Sequence, residues 1–281
     1  MTAAGDRTPK LGIAVITYRR RDRFELLIDR LQRLTASPHE LLVADDGSGD
    51  GTLEWAREQG LCVVTGENRG VAYNKNRGLF ALSALGCDPI LLIEDDAYPD
   101  VPGWERDWVE ATERWHHVAY LHPRIAHRTV SGSGTPSDPF VNPKASAVLL
   151  TISAEALAQV GYFDSRFEGW GHEHGEWTTR IKRAGYGYKS IVLPDGTKPK
   201  AQLYLLGGLV DNEGPRWRDE ESGRRNRELY RRIYSEPVYR LPWRSPAERA
   251  VFLAEQAEAG VDGAEPLAAA LDAFVGGAAR S

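Results

Sequence analysis

Short aliphatic runs and stretches of helical period alternate along the first hundred residues. Leu11–Thr17 is an Ile- and Val-rich run, and it is followed by Phe24, Leu27, Ile28, Leu31 and Leu34 on one helical face. Leu41–Ala44 is a second apolar run, and it ends in Asp45-Asp46-Gly47-Ser48. Thr52–Gln59 reads as a short helix closed by Gly60, Cys62–Thr65 as a third strand, and Val71–Leu85 as a helix closed by Gly86. Ile90–Ile93 is a fourth strand, running into Glu94-Asp95-Asp96. Strands that read as unbroken apolar runs are buried on both faces, and their alternation with helices predicts an α/β fold with a parallel sheet. In open sheets of that kind the ligand site lies beyond the carboxyl ends of the strands. Three of the four strand ends here carry polar or acidic residues: Tyr18-Arg19, Asp45-Asp46 and Glu94-Asp95-Asp96.

The second half is less regular. Trp104–Trp115 reads as a helix, Ala119–Leu121 and Ala147–Thr151 as strands, and His127–Lys144 as a long Ser/Gly/Pro-rich loop. Ser153 caps a short helix ending at Gly161, Glu173–Ala184 is a helix closed by Gly185, and Gln202–Val210 is a strand. The composition then turns Arg-rich, with Arg216, Arg218, Arg224, Arg225, Arg227, Arg231 and Arg232, and finally Ala-rich. A boundary near 215 separates a domain over 1–214 from a helical extension over 215–281. The arginines, broken by acidic residues, read as a solvated helix laced with ion pairs.

Composition narrows the function classes. The 281 residues carry a net charge of −5, which gives no general affinity for nucleic acid. No apolar run reaches the roughly 18 residues of a membrane span. The N-terminus lacks the apolar core of a signal peptide, and the two cysteines, Cys62 and Cys87, follow no metal-like spacing. The expectation is a cytoplasmic protein with reduced thiols.

Glu94-Asp95-Asp96 is the first candidate for chemistry. Adjacent carboxylates repel unless positive charge sits among them, and a hard divalent cation, Mg²⁺ or Mn²⁺, is the expected partner. A solvated acidic turn is the alternative. In Asp45–Thr52, turn and cap chemistry accounts for Gly47, Asp50 and Thr52. It does not account for two consecutive carboxylates at a strand end, where a nucleobase N–H or a ribose hydroxyl is a natural donor.

These segments resemble the GT-A glycosyltransferases, and the family-two group in particular. That family's Thr-Tyr-Asn-Arg motif stands here as Thr17-Tyr18-Arg19-Arg20, and its Asp-Asp-Gly-Ser-x-Asp-Gly-Thr as Asp45–Thr52. Its Asn-x-Gly and Arg-Asn-x-Gly stand as Asn68-Arg69-Gly70 and Lys75-Asn76-Arg77-Gly78, and its Asp-x-Asp as Glu94-Asp95-Asp96. The resemblance covers about residues 10–190. It implies a Rossmann-like, mostly parallel central sheet flanked by helices, a nucleotide-diphosphate sugar donor, and an acceptor that is a glycan, natural product or peptide. It places Thr17, Tyr18, Arg19, Asp45, Asp46, Asn68, Lys75 and Asp95 on the donor side. Tyr18 would stack on the base, Asp46 would hydrogen-bond it, and Lys75 would approach the diphosphate. Asp96 would be the principal metal ligand, with Glu94 assisting.

Gly161–Trp177 resembles the family's Gly-x-Phe-Asp-Glu and Gly-x-Glu-Asp-x-Glu segments, and its Gly-Trp-Gly piece resembles animal galactosyltransferases of the same fold. In inverting members the Asp of the Glu-Asp pair is the general base, and His174 occupies that position here. Glu173 as base, His174 as base and His174 as metal ligand all remain open, beside a loop role for His172 and His174. Trp170, between glycines, is a candidate for stacking on a sugar ring. No histidine follows His174, so Asp211 is the candidate for a further metal ligand from the C-terminal part, against a turn role. A sugar nucleotidyltransferase would need a Gly-rich loop after the first strand, and no glycine lies between Ile13 and Gly47. A non-catalytic nucleotide-sugar or glycan-binding protein is the remaining alternative.

Overall fold

The computed structural model describes residues 10–192, 196–212 and 219–258. Arg216 and Arg218, the Ala-rich tail from 259 and the first nine residues lie outside that description. The chain begins with β1 (Lys10–Thr17), α1 (Arg21–Leu34), β2 (His39–Asp45), α2 (Thr52–Glu58), β3 (Cys62–Thr65), α3 (Val71–Ala84) and β4 (Cys87–Glu94). It continues with β5 (Ala97–Pro99), α4 (Glu105–Trp115), β6 (Ala119–Tyr120), α5 (Pro123–Ala126), β7 (Phe140–Asn142), β8 (Leu149–Ile152) and α6 (Ala154–Val160). It closes with α7 (Glu173–Ala184), β9 (Tyr188–Ser190), β10 (Lys200–Leu205), β11 (Leu209–Asp211), α8 (Glu220–Ile233) and α9 (Pro246–Ala257).

Nine of the described strands form one sheet in the order β3-β2-β1-β4-β8-β6-β10-β7, with β9 on β10. The first four are parallel, and β8 joins β4 antiparallel. Alternation along each strand splits the core into two layers. Ala14, Ile16, Leu42, Ala44, Ile90 and Leu92 face α3, α6, α7 and α9, while Ile13, Val15, Val43, Leu91 and Ile93 face α1 and α4. Register decides where the site falls: Thr17 pairs with Asp45, and Ile16 with Glu94, so the three polar strand ends share one edge.

Two expectations change. Gln202–Val210 is not one strand: Gly207 and Gly208 adopt positive φ, and β11 leaves the main sheet to pair with β5. Trp108 fixes that turn by donating its indole N–H to the Gly207 carbonyl at 3.0 Å. The 127–144 segment is not wholly loop, because Phe140 and Val141 pair with β10 as an edge strand.

The described residues after 215 share the core of the preceding domain. Leu229, Ile233 and Phe252 are buried in the layer on the α3 side, and Phe252 packs edge-on against Tyr73 and Phe80 at centroid distances of 5.4 and 5.3 Å. Among the described residues no helix is long and apolar enough to cross a membrane. Among the described residues neither Cys62 nor Cys87 is in a disulfide.

Candidate active site

A cavity of about 870 Å³ opens at the shared strand edge. Thr17, Tyr18, Arg19, Arg20, Asp46, Asn68, Glu94, Asp95, Asp96, Trp170, Glu173 and His174 line it, together with His122, Arg124 and Asp219. Most of the residues singled out in the sequence therefore meet at one place. Asp45, Lys75 and Asp211 do not line the cavity.

Asp45 turns inward. Its carboxylate accepts from the Gly47 and Ser48 amides at 3.1 and 3.0 Å and from Thr65 Oγ1 at 2.9 Å, which fixes the turn. Asp46 accepts from the Arg69 and Gly70 amides at 3.0 and 2.8 Å and from Arg77 at 2.8 Å. Gly70 has φ 90, and a Cβ there would stand 2.3 Å from the Gly169 amide, so only glycine lets this loop lie against the one leading to α7. The Arg19 amide donates to Ser48 Oγ at 2.8 Å, and the Arg19 backbone is left-handed, at φ 51.

The acidic triplet finds its positive charge within the protein. Arg20 contacts Asp95 at 2.9 Å and Asp96 at 2.6 Å, and Arg23 reaches Asp96 at 2.9 Å. Thr17 Oγ1 donates to Asp95 at 2.8 Å. Burial pushes Asp95 up to about 6, against the opposing pull of Arg20 and Thr17. Lys75, 1% exposed, lies 2.7 Å from Glu94 and 3.5 Å from Glu173. It is the buried counterion of two carboxylates rather than a group on the cavity wall, because a dry interior holds a cation only against opposite charge.

At the start of α7, His174 Nδ1 lies 3.2 Å from Glu173 Oε1. Burial raises the Glu173 pKa, but the hydrogen bond with His174 and the charge of Lys75 outweigh it and hold the carboxyl well below the usual range. His172 precedes the helix with a left-handed φ of 72 and stacks on Tyr230 at 6.3 Å. Trp170 is 38% exposed and faces the cavity. Ser222 of α8 holds its backbone, accepting from the Trp170 amide at 3.2 Å and donating to the Trp170 carbonyl at 3.1 Å.

The four expected metal ligands do not converge. Glu94 is drawn to Lys75 and His174 to Glu173, and among the described residues no group of three His, Cys, Asp or Glu side chains is arranged to hold a cation. The β5–β11 ribbon does bring Asp211 opposite Ala97, next to Asp96. Asp211 accepts from the Tyr120 hydroxyl at 3.1 Å and lies 3.6 Å from His122 Nε2. Sequence reasoning missed Arg20's pairing role, Arg23, Arg77 and His122. Arg20 was visible in the Thr17–Arg20 motif, and Arg23 one helical turn beyond it; His122 had no local signal.

A parallel-sheet edge bearing these carboxylates, with a tryptophan loop opposite, defines an α/β protein of the GT-A class. Residues 12–147, just under half of the chain, match the family model described as glycosyl transferase family 2, so the chain carries a family-two-like glycosyltransferase segment on a GT-A fold. Solved structures similar to it include the following two. One is GalNAc-T7 with UDP, GalNAc and Mn²⁺, with 12% identity and a TM-score of 0.56, covering 81% of this chain and 48% of that one. This chain thus spans about half of that protein's length. The other is the mannosyltransferase PcManGT from Pyrobaculum calidifontis in complex with GDP-Man and Mn²⁺, with 18% identity and a TM-score of 0.51, covering 96% and 81%. At such identities the likeness shows the fold. No curated protein matches the sequence.

Proposed function

We propose that the protein transfers a sugar from a nucleotide-diphosphate sugar to an acceptor hydroxyl, with inversion at the anomeric carbon. The observation that carries this reading is the meeting, on one cavity, of Tyr18, Asp46 and Asn68 with the arginine-paired acidic triplet and with Trp170 and His174. Tyr18 offers a ring to the base, and Asp46, held by two amides, offers acceptor lone pairs to the nucleoside. Arg20 lines the cavity and can exchange a carboxylate for the departing diphosphate, an exchange suited to a guanidinium. Trp170 presents its face to a sugar ring.

The acceptor oxygen attacks the anomeric carbon, the bond from that carbon to the diphosphate breaks, and the acceptor proton passes to His174. Glu173 is a weak base, since its carboxylate is already held by His174 and Lys75. His174 reaches the cavity with Glu173 behind it, and an imidazole suits proton abstraction near neutrality. Metal dependence belongs to the same proposal, supported by the Mn²⁺ that accompanies nucleotide in both neighbours. Asp96 and Asp211 are the carboxylates that would hold a divalent cation, which would supply Lewis-acid charge to the leaving diphosphate. The reading also takes the protein as cytoplasmic.

A thermal-shift panel of nucleotide sugars with Mn²⁺, followed by assay of free nucleoside diphosphate, tests the proposal. The expected result is stabilisation by donors of one nucleotide and release of that nucleotide, abolished by EDTA. Donor binding with no release in the presence of any acceptor or of water overturns it in favour of a non-catalytic binder.

A further inference from the structure

Arg77 is wholly buried in α3 and holds together parts of the chain far apart in sequence. Its NH1 donates to Asp46 Oδ1 at 2.8 Å. Its Nε and NH2 form a two-pronged pair with Glu255 of α9, each at 3.0 Å, and NH2 also donates to the Glu67 carbonyl at 2.9 Å. Gln256, the next residue of α9, donates to the Arg77 carbonyl at 3.2 Å. The guanidinium thus sits between two carboxylates, one on the cavity wall and one on the last described helix.

The approach of α9 is built into the β3–α3 loop. A Cβ on Gly66 would lie 2.0 Å from Glu255 Oε1 and 2.7 Å from Arg77 NH2, so any side chain there would displace the Glu255 carboxylate from its present place. Phe252, one turn earlier on α9, anchors the helix against Tyr73 and Phe80.

We propose that Glu255 is a positioning residue of the donor site: through Arg77 it fixes the orientation of Asp46, so that α9 sets how tightly the nucleoside is held. The proposal rests on the reading above that Asp46 contacts the nucleoside. A guanidinium tied on its far side by a bidentate carboxylate has one orientation left for NH1, and together with the Arg69 and Gly70 amides it sets how the Asp46 carboxylate is turned. Freed of Glu255, Arg77 can turn its whole fork onto Asp46 and draw that carboxylate away from the cavity.

Full-length wild type, Glu255→Gln, Gly66→Ala and Phe252→Leu are compared. Binding of UDP, GDP, CDP, ADP and dTDP, and of inorganic pyrophosphate, is measured by titration calorimetry, with a melting curve for each protein. Glu255→Gln removes the charge while keeping the shape. Gly66→Ala keeps every charge and displaces the Glu255 carboxylate, so it carries the test if Glu255→Gln does not fold. Phe252→Leu removes packing volume from α9 and keeps both carboxylates and the guanidinium of the relay. Both relay variants are expected to weaken the preferred nucleoside diphosphate by ~10-fold, the scale of one charged hydrogen bond. Pyrophosphate binding should stay within about twofold, and Phe252→Leu should lower the melting temperature without changing the nucleotide preference or affinity beyond that margin. Unchanged nucleotide binding in a folded relay variant, or an equal loss for pyrophosphate, overturns the proposal. A wild type that binds no nucleoside diphosphate overturns the nucleotide reading, and this proposal with it.

Discussion

Replacing Lys75 with methionine keeps the unbranched stem up to the ε position and removes the charged Nζ. In the folded protein Lys75 Nζ stands 2.7 Å from Glu94 and 3.5 Å from Glu173, with the lysine 1% and Glu173 5% exposed. Exposed pairs of this kind contribute about 0–1 kcal/mol, whereas removing one member of a buried pair costs about 3–5 kcal/mol. The Glu94 side chain is 24% exposed, so water screens that half of the interaction and the lower figure applies, about 3 kcal/mol. That is a large share of the roughly 5–15 kcal/mol of a whole domain.

The loss should depend on pH with a defined sign. In the wild type the Glu173 pKa is depressed, so its stabilising contribution is present above the unfolded value of about 4.3 and is lost only as pH falls through the lower folded value. Burial raises Glu94, and Lys75 is what opposes that rise. Without the lysine, two facing carboxylates remain, and protonating one relieves the strain. The deficit of Lys75→Met should therefore be largest near pH 8 and shrink towards pH 5. Urea unfolding at both pH values measures it. A deficit under about 1 kcal/mol at pH 8 would show that water screens the pair after all. A deficit that stays constant to pH 5 would refute the charge argument and leave only packing.

His174→Asn should cut turnover by ~100-fold, the scale of general-base catalysis, with donor affinity little changed, while His174→Asp restores part of the rate with its acid limb moved to lower pH. Steady-state kinetics on the active donor check this, and full turnover in His174→Asn would remove the base assignment. Trp170→Ala should raise the acceptor or donor-sugar KM by about tenfold and leave nucleoside diphosphate affinity intact, as expected for loss of one stacking face; equal loss of nucleotide binding would place the ring elsewhere. His117 is buried, with its Nδ1 2.6 Å from the Thr151 carbonyl oxygen, and burial lowers it to about 4. Its contribution is present above the unfolded value of about 6.5 and is lost as pH falls towards 4, so His117→Gln should flatten the acid side of the stability curve by up to about 3 kcal/mol. An unchanged acid slope would mean that the imidazole protonates freely in the fold.

The strands β1 to β4 and the helices between them were legible because each carries its own periodicity and its own stop signal. Strand ends in a parallel sheet share one edge, so Tyr18, Asp46 and Asp96 could be assigned to one crevice before any coordinates. What failed depended on partners. Gln202–Val210 reads as one strand until the turn at Gly207 meets the Trp108 indole. Asp45 and Asp46 look equivalent in sequence, and only the register with Thr65 and the approach of Arg77 separate a turn-former from a cavity residue.

The sequence alone determined the α/β class, the edge that carries the site and the residue types gathered there, because hydrophobic period and strand polarity are local properties. Only the tertiary structure decided how the charges pair. The acidic triplet was expected to call for an external cation, and the folded chain sets Arg20, Arg23 and Lys75 against it. Lys75 was assigned to the diphosphate by position, yet it lies beneath Glu94 and Glu173. Glu255 stands 178 residues from the arginine it holds. Electrostatic partners are chosen by distance and burial after packing, and neither quantity is written in the spacing of residues along a chain.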